Sequence, residues 1–213
     1  AACNFMFSSA LVHIPLADAT AVGFASPLFT LALAAVWLGE RIGPWRWFGM
    51  ALGFAGVVIL LRPPFLFAGE PTHWAMILPL GAAALFAFYQ ILTRKLATLD
   101  DPRTTILHTS FAAMLVTSAS MPLVWVWPSG LDWVALVLLG LLGGAAHGLL
   151  VLAFARAPAS LLAPLSYTQM IWAVIAGLLV FGDAPDGVTL FGIGVIALSG
   201  VVVAFSGRSK KNS

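Results

Sequence analysis

A polar island, Ser166-Tyr167-Thr168-Gln169, interrupts an apolar run of 22 residues from Ser160 to Phe181. At about 1.5 Å per residue a run of this length crosses a ~30 Å hydrocarbon core, so the island lies near mid-depth of a membrane-spanning helix. Polar groups there are costly unless they face protein, water or a ligand. On a helix, Ser166, Gln169, Ala173 and Gly177 share one face. The chemistry this face offers is uncharged hydrogen bonding: the Gln169 amide supplies donors and an acceptor. Tyr167 and Trp172 flank it and could stack on a planar ligand. The same residue types also let helices approach closely and bond to one another. A ligand cavity and a packing seam are therefore both open readings. Tyr89-Gln90 is a second deep polar pair. The Gln90 amide needs partners, which a ligand or a neighbouring helix can supply equally well.

Other chemistry is sparse. The eight acids (Asp18, Glu40, Glu70, Asp100, Asp101, Asp132, Asp183 and Asp186) fall at run ends or in loops. No carboxylate proton relay at mid-depth is expected. His147 is the one deep ionisable side chain. Histidine titrates nearest physiological pH, so His147 is the candidate for proton coupling; the alternative is a histidine packed beside Gly140, Gly143, Gly144 and Gly148. His13, His73 and His108 lie near interfaces. The histidines are too far apart to propose a metal site, and the single Cys3 allows no disulfide framework. There is no HExxH, nucleophile elbow, P-loop or pair of carboxylates. No catalytic residue and no cofactor are expected. The basic residues form no patch suited to nucleic acid.

The elements that position these residues follow from composition. The 213 residues are 61% hydrophobic and 8% charged, where soluble domains carry about 25% charge. This is an all-α polytopic membrane protein. Ala1–Val12 reads as the end of a helix that starts upstream. Seven whole spans follow: Ala19–Leu38, Pro44–Leu61, Trp74–Thr93, Thr104–Trp127, Trp133–Ala153, Ser160–Phe181 and Val188–Phe205. Proline and glycine fill the short gaps, and tryptophans cluster at run ends as an interfacial belt. One set of alternate loops holds Arg41, Arg46, Arg94, Lys95, Arg103, Arg156, Arg208, Lys210 and Lys211, and the other holds only Arg62. By the positive-inside rule the C-terminus is expected in the cytoplasm.

A shift of 143 residues lays ALVHIPLADATAVGF…WLGERIGPWRWFG on AFARAPASLLAPLSY…VFGDAPDGVTLFG. Pro15 meets Pro158, Gly39 meets Gly182, Glu40 meets Asp183 and Gly49 meets Gly192. The two copies are an odd number of spans apart, so they have opposite orientation, as in transporters built from inverted repeats. The shift places Gly23, Ser26 and Thr30 opposite the Ser166 face. Ser26, Thr30, Ser166 and Gln169 are thus expected around one water-accessible space, with Phe24, Tyr167 and Trp172 beside it.

In HIPLADATAVGFASPLFTLALAAVWLGERIGPWRWFGMALGFAGVVILLRP and RAPASLLAPLSYTQMIWAVIAGLLVFGDAPD the chain resembles the drug/metabolite transporter superfamily, in its EamA-type branch. It is loosely similar to the permeases for S-adenosylmethionine and riboflavin. The resemblance covers essentially the whole chain. It implies a ten-helix transporter of two inverted five-helix repeats, of which about seven and a half helices are present. Residues 1–62 would be the end of the first repeat (helices three to five, the third partial), 73–206 the second repeat, and 207–213 a cytoplasmic tail. It implies alternating access for a small organic metabolite in a bacterial inner membrane. A polytopic membrane enzyme, or a structural or partner-binding membrane protein, is the alternative. The lipid bilayer is a partner by composition, and a homodimer is left open.

Overall fold

The computed structural model describes residues 2–69, 73–121, 127–182 and 184–206. The expectations attached to Glu70, Asp183 and the tail 207–213 lie outside these. The described chain is helical throughout, with no strand: α1 Ala2–Ala10, α2 Leu16–Gly23, α3 Ser26–Trp37, α4 Pro44–Leu61, α5 Pro64–Phe67, α6 Ile77–Leu96, α7 Pro102–Ser120, α8 Gly130–Arg156, α9 Ala159–Leu165, α10 Gln169–Ala176 and α11 Gly187–Ser206. Among the described residues six stretches are long and apolar enough to cross a membrane: Leu16–Trp37, Pro44–Leu61, Trp74–Leu96, Gly130–Arg156, Ala159–Val180 and Gly187–Phe205. The run expected from Thr104 to Trp127 forms α7, whose threonines, serines and His108 keep it out of that set; part of the run lies outside the described residues.

Two runs expected as continuous helices are segmented. Proline is the cause in the first. Pro27 has no N–H to give to the Gly23 carbonyl, so α2 stops at Gly23 and α3 restarts with the proline in its first turn. Ala25 N bonds back to Val22 O at 3.0 Å in a tighter turn. In the second run Pro164 sits inside α9. A 3₁₀ turn, Ser166–Thr168, follows, then α10, then a π turn, Gly177–Phe181. The polar island is therefore not a stripe on a regular helix. A 3₁₀ turn nearly eclipses residues three apart, which sets Ser166 and Gln169 almost in line.

The starts of α2 and α9, of α3 and α10, and of α4 and α11 are each separated by 143 residues. Gly39 and Gly182, also 143 apart, both adopt positive φ, at 62° and 75°. Only glycine takes this conformation without penalty, and each stands just past a helix end.

The chain forms two compact units. One comprises residues 2–91 with 158–206. Its axis is the antiparallel pair α4 and α11. A carbon added at Gly49 would fall 2.5 Å from Val203 Cγ2, one at Gly56 2.8 Å from Ile196 Cγ1, and one at Gly192 3.0 Å from both Gly56 O and Leu60 Cβ. These glycines let the two backbones touch. Ser199 Oγ donates to Gly49 O at 2.7 Å. The contacts are closed under the 143-residue exchange. Gly49 against Ser199 maps onto Gly192 against Gly56, and Gly53 against Ser199 maps onto Ile196 against Gly56. A local two-fold axis between equivalent helices produces this pattern. Phe24, Leu31, Met50, Val57, Ala163, Tyr167, Met170 and Ile196 pack around the axis as the core.

The other unit, residues 92–157, holds the end of α6 with α7 and α8. Arg94 Nη1 donates to Phe154 O at 2.8 Å and Ala155 O at 3.2 Å. It thereby satisfies carbonyls that the last turn of α8 leaves open.

Candidate functional site

Three of the expected polar residues meet in the larger unit. Thr30 is fully buried in α3, Gln90 is 5% exposed in α6, and Ser26 is 6% exposed at the start of α3. The Thr30 hydroxyl lies 2.9 Å from Gln90 Oε1 and 2.9 Å from Ser26 O, so one proton serves two acceptors. Ser26 Oγ is buried with no hydrogen-bond partner among the described residues. Buried hydroxyls without partners are uncommon and mark places where polar chemistry is uncommitted. The cluster holds no charge. It can recognise a neutral hydrogen-bonding group, and it sits on the segment boundary that Pro27 creates.

Tyr167 lies elsewhere than on an open face. It is fully buried. Its hydroxyl donates to Phe24 O at 3.3 Å, and the two rings lie 6.1 Å apart. Phe24 and Tyr167 are 143 residues apart, so equivalent residues at the two helix breaks touch each other. Gly53 makes room for this ring, since an added carbon there would sit 2.5 Å from Tyr167 Cδ2. The tyrosine takes up a carbonyl exposed by the α2–α3 break, which explains why a polar tip is tolerated in the core.

The remaining expected residues are not gathered with these. Ser166 Oγ turns back to Leu162 O at 3.3 Å and Thr168 Oγ1 to Leu165 O at 2.7 Å. Gln169 is exposed, and Trp172 is 69% exposed. Tyr89 is half-buried and stacks on Phe86 at 6.1 Å. His147 belongs to the smaller unit, where Nε2 is 3.1 Å from Thr109 Oγ1.

Sequence reasoning missed a second polar group. Glu40 follows the Gly39 turn, and its N–H returns to Ala34 O at 3.1 Å. This aims the carboxylate at the start of α9: Ala159 N donates to Oε1 and Ser160 N to Oε2, both at 2.9 Å. Arg46 Nη1 donates to Ser160 Oγ at 2.6 Å. The carboxylate thus satisfies N–H groups that no residue of α9 caps, and the helix dipole favours it there. Asp18 was also underread. It is 2% exposed in the first turn of α2. The signals were present: an acid just after a glycine stop, and an acid three residues past Pro15 at a helix start. Arg62 and Asp186 pair at the surface between α4 and α11, at 2.5 and 2.7 Å. The guanidinium, helped by Thr189 N–H, holds the Asp186 carboxyl well below the usual carboxylate range. Among the described residues no group of three or more His, Cys, Asp or Glu could hold a metal ion.

With this geometry in hand, known proteins give a consistent likeness. A model of the EamA-like transporter family matches residues 1–62 and 73–205. A riboflavin transporter of Vibrio cholerae is 32% identical over 190 residues, which cover 87% of this chain and 61% of that protein. An S-adenosylmethionine uptake transporter of Rickettsia conorii is 29% identical over 202 residues, covering 95% of this chain and 67% of that one. One solved crystal structure superposes with a TM-score of 0.82 at 26% identity, over 95% of this chain and 73% of that one. The chain spans 61% of the length of the Vibrio cholerae relative.

Proposed function

The chain belongs to the EamA-like transporter family, and from that premise we propose that this multi-pass membrane protein works as a secondary transporter, not an enzyme, moving a small organic metabolite by alternating access. The observation that carries the reading is the uncharged cluster Ser26, Thr30 and Gln90, buried mid-span beside two helix breaks at equivalent places in a repeat. Transporter sites lie at such interrupted helices near the midplane, at the interface of the repeats. Ser26, Thr30, Tyr89, Gln90, Ser166 and Gln169 orient the ligand in this reading, and Trp172 adds stacking area. Tyr167 acts indirectly, by bracing the break. Residues 1–62 and 73–206 are the two repeat segments. The loops rich in lysine and arginine face the cytoplasm, with the membrane a bacterial inner one. A planar heteroaromatic metabolite, of the kind named for the riboflavin and S-adenosylmethionine relatives, suits a site with neutral polar groups and aromatic flanks.

The test uses the full-length protein in proteoliposomes. Uptake of labelled riboflavin, S-adenosylmethionine, amino acids and nucleosides is measured, alongside thermal shifts in detergent, since a ligand that binds the folded state raises its apparent stability. Saturable uptake of one class, weakened by Gln90→Leu, is expected. Uptake of none of them, with no thermal shift, refutes the reading. For orientation, a cysteine at Gly130 or Asp186 should react with an impermeant thiol reagent from outside, and one at Arg41 only from inside.

A further inference from the structure

The Glu40 contact reaches beyond helix capping. α3 and α9 run antiparallel and are tied at both ends, by Tyr167 on Phe24 O at one and by Glu40 on the Ala159 and Ser160 amides at the other. Between the ties the seam is sealed: Leu31, Ala34, Ala159 and Ser160 have no exposure and Ala163 has 1%. Beyond the 3₁₀ turn the same chain opens, with Trp172 69% and Leu179 78% exposed. The polar cluster at Ser26 and Thr30 is thus shut off along the seam toward the Glu40 end. A single carboxylate, reaching over from the loop after α3, closes that end by accepting two backbone N–H bonds. Arg46 braces the same serine from α4. Alternating access requires an end that seals in one state and parts in the other, held by contacts that exist in only one of them.

We propose that Glu40 is the latch of the gate on this face: its bonds to Ala159 and Ser160 hold α9 against α3, and opening toward this face breaks them as α9 swings about the Ser166–Thr168 turn. This rests on the transporter reading for its meaning but not for its test. Arg46 and Ser160 are positioning residues that aim the latch. Glu40 touches no substrate.

The experiment measures accessibility without ligand, in the full-length protein on a cysteine-free background. Single cysteines, Ala163→Cys or Ala34→Cys, report on the seam, and Arg41→Cys identifies the Glu40 face. Right-side-out and inside-out vesicles are treated with an impermeant maleimide. With Glu40 intact, the seam cysteines should label slowly from the Glu40 face. Two charge-assisted bonds are lost in Glu40→Ala, so labelling from that face should rise about ten- to a hundredfold, with none gained from the opposite face. Glu40→Gln keeps one acceptor oxygen and should fall between; it replaces the alanine variant if that one fails to insert. Ser160→Ala should give a smaller rise. Unchanged labelling from the Glu40 face, or an equal rise at both faces, overturns the latch. If the intact protein carries no metabolite while Glu40→Ala opens one face, the transport reading falls and the latch stands.

Discussion

The pair Thr30 and Gln90 allows the sharpest energetic test. Thr30→Val keeps the side-chain shape and removes the hydroxyl, leaving Gln90 Oε1 and Ser26 O without the proton that both now share at 2.9 Å. In a water-soluble protein a buried acceptor stripped of its partner costs about 1–3 kcal/mol. The bilayer lowers this, because inserted but unpacked helices also find partners, and measured interhelical bonds average about 0.6 and reach about 1.7 kcal/mol. With Thr30 at 0% and Gln90 at 5% exposure, no water competes in the packed state, which favours the upper part of that range. The assay is a double-mutant cycle: wild type, Thr30→Val, Gln90→Leu and the double variant, unfolded reversibly in mixed micelles. A coupling energy of about 0.6–1.7 kcal/mol is expected. Coupling below about 0.3 kcal/mol, the level at which independent sites simply add, would show that the two side chains do not hold each other. Ligand binding is the second readout. If Gln90 orients the ligand, Gln90→Leu should weaken binding roughly ten- to a hundredfold, since there the folded protein is the reference and no alternative partner forms.

Three further outcomes follow from single contacts. Gly53→Ala puts a carbon 2.5 Å from Tyr167 and 2.7 Å from Ser199 Oγ, and should cost about 1–3 kcal/mol by thermal unfolding in detergent; Gly140→Ala, which meets nothing within 4 Å, should cost far less. Arg62 holds the Asp186 carboxyl low, so its contribution is fully present above the ordinary carboxylate pKa of about 4 and fades as pH falls through the depressed folded value. The stability difference between wild type and Asp186→Asn should accordingly persist at neutral pH and shrink in acid, and a difference that grows in acid would contradict the assigned sign. His147→Gln should abolish uptake driven by a pH gradient while sparing exchange; unchanged gradient-driven uptake would leave the His147–Thr109 contact as packing alone.

Span count, helical class and the repeat were legible in the sequence because each rests on a one-dimensional constraint. A bilayer demands about 20 apolar residues per crossing whatever surrounds them. A repeated unit repeats its punctuation, so Gly39 and Gly182 fall at equivalent helix ends. Candidate polar residues were legible too, because polar side chains in hydrocarbon stand out. Their grouping was not. Gln90 could have met a ligand or a helix, and only packing brings it to Thr30. Tyr167 looked like a surface for a planar ligand, and only the break at Phe24 gives its hydroxyl a buried partner. A uniform 100° per residue placed Ser166 and Gln169 on one stripe, whereas Pro164 and the 3₁₀ turn reset the register. Glu40 looked like an ordinary loop acid because its partners are backbone amides 119 and 120 residues away. Backbone N–H groups carry no sequence signature: every residue but proline has one, and which of them a carboxylate finds is decided when α3 is laid against α9.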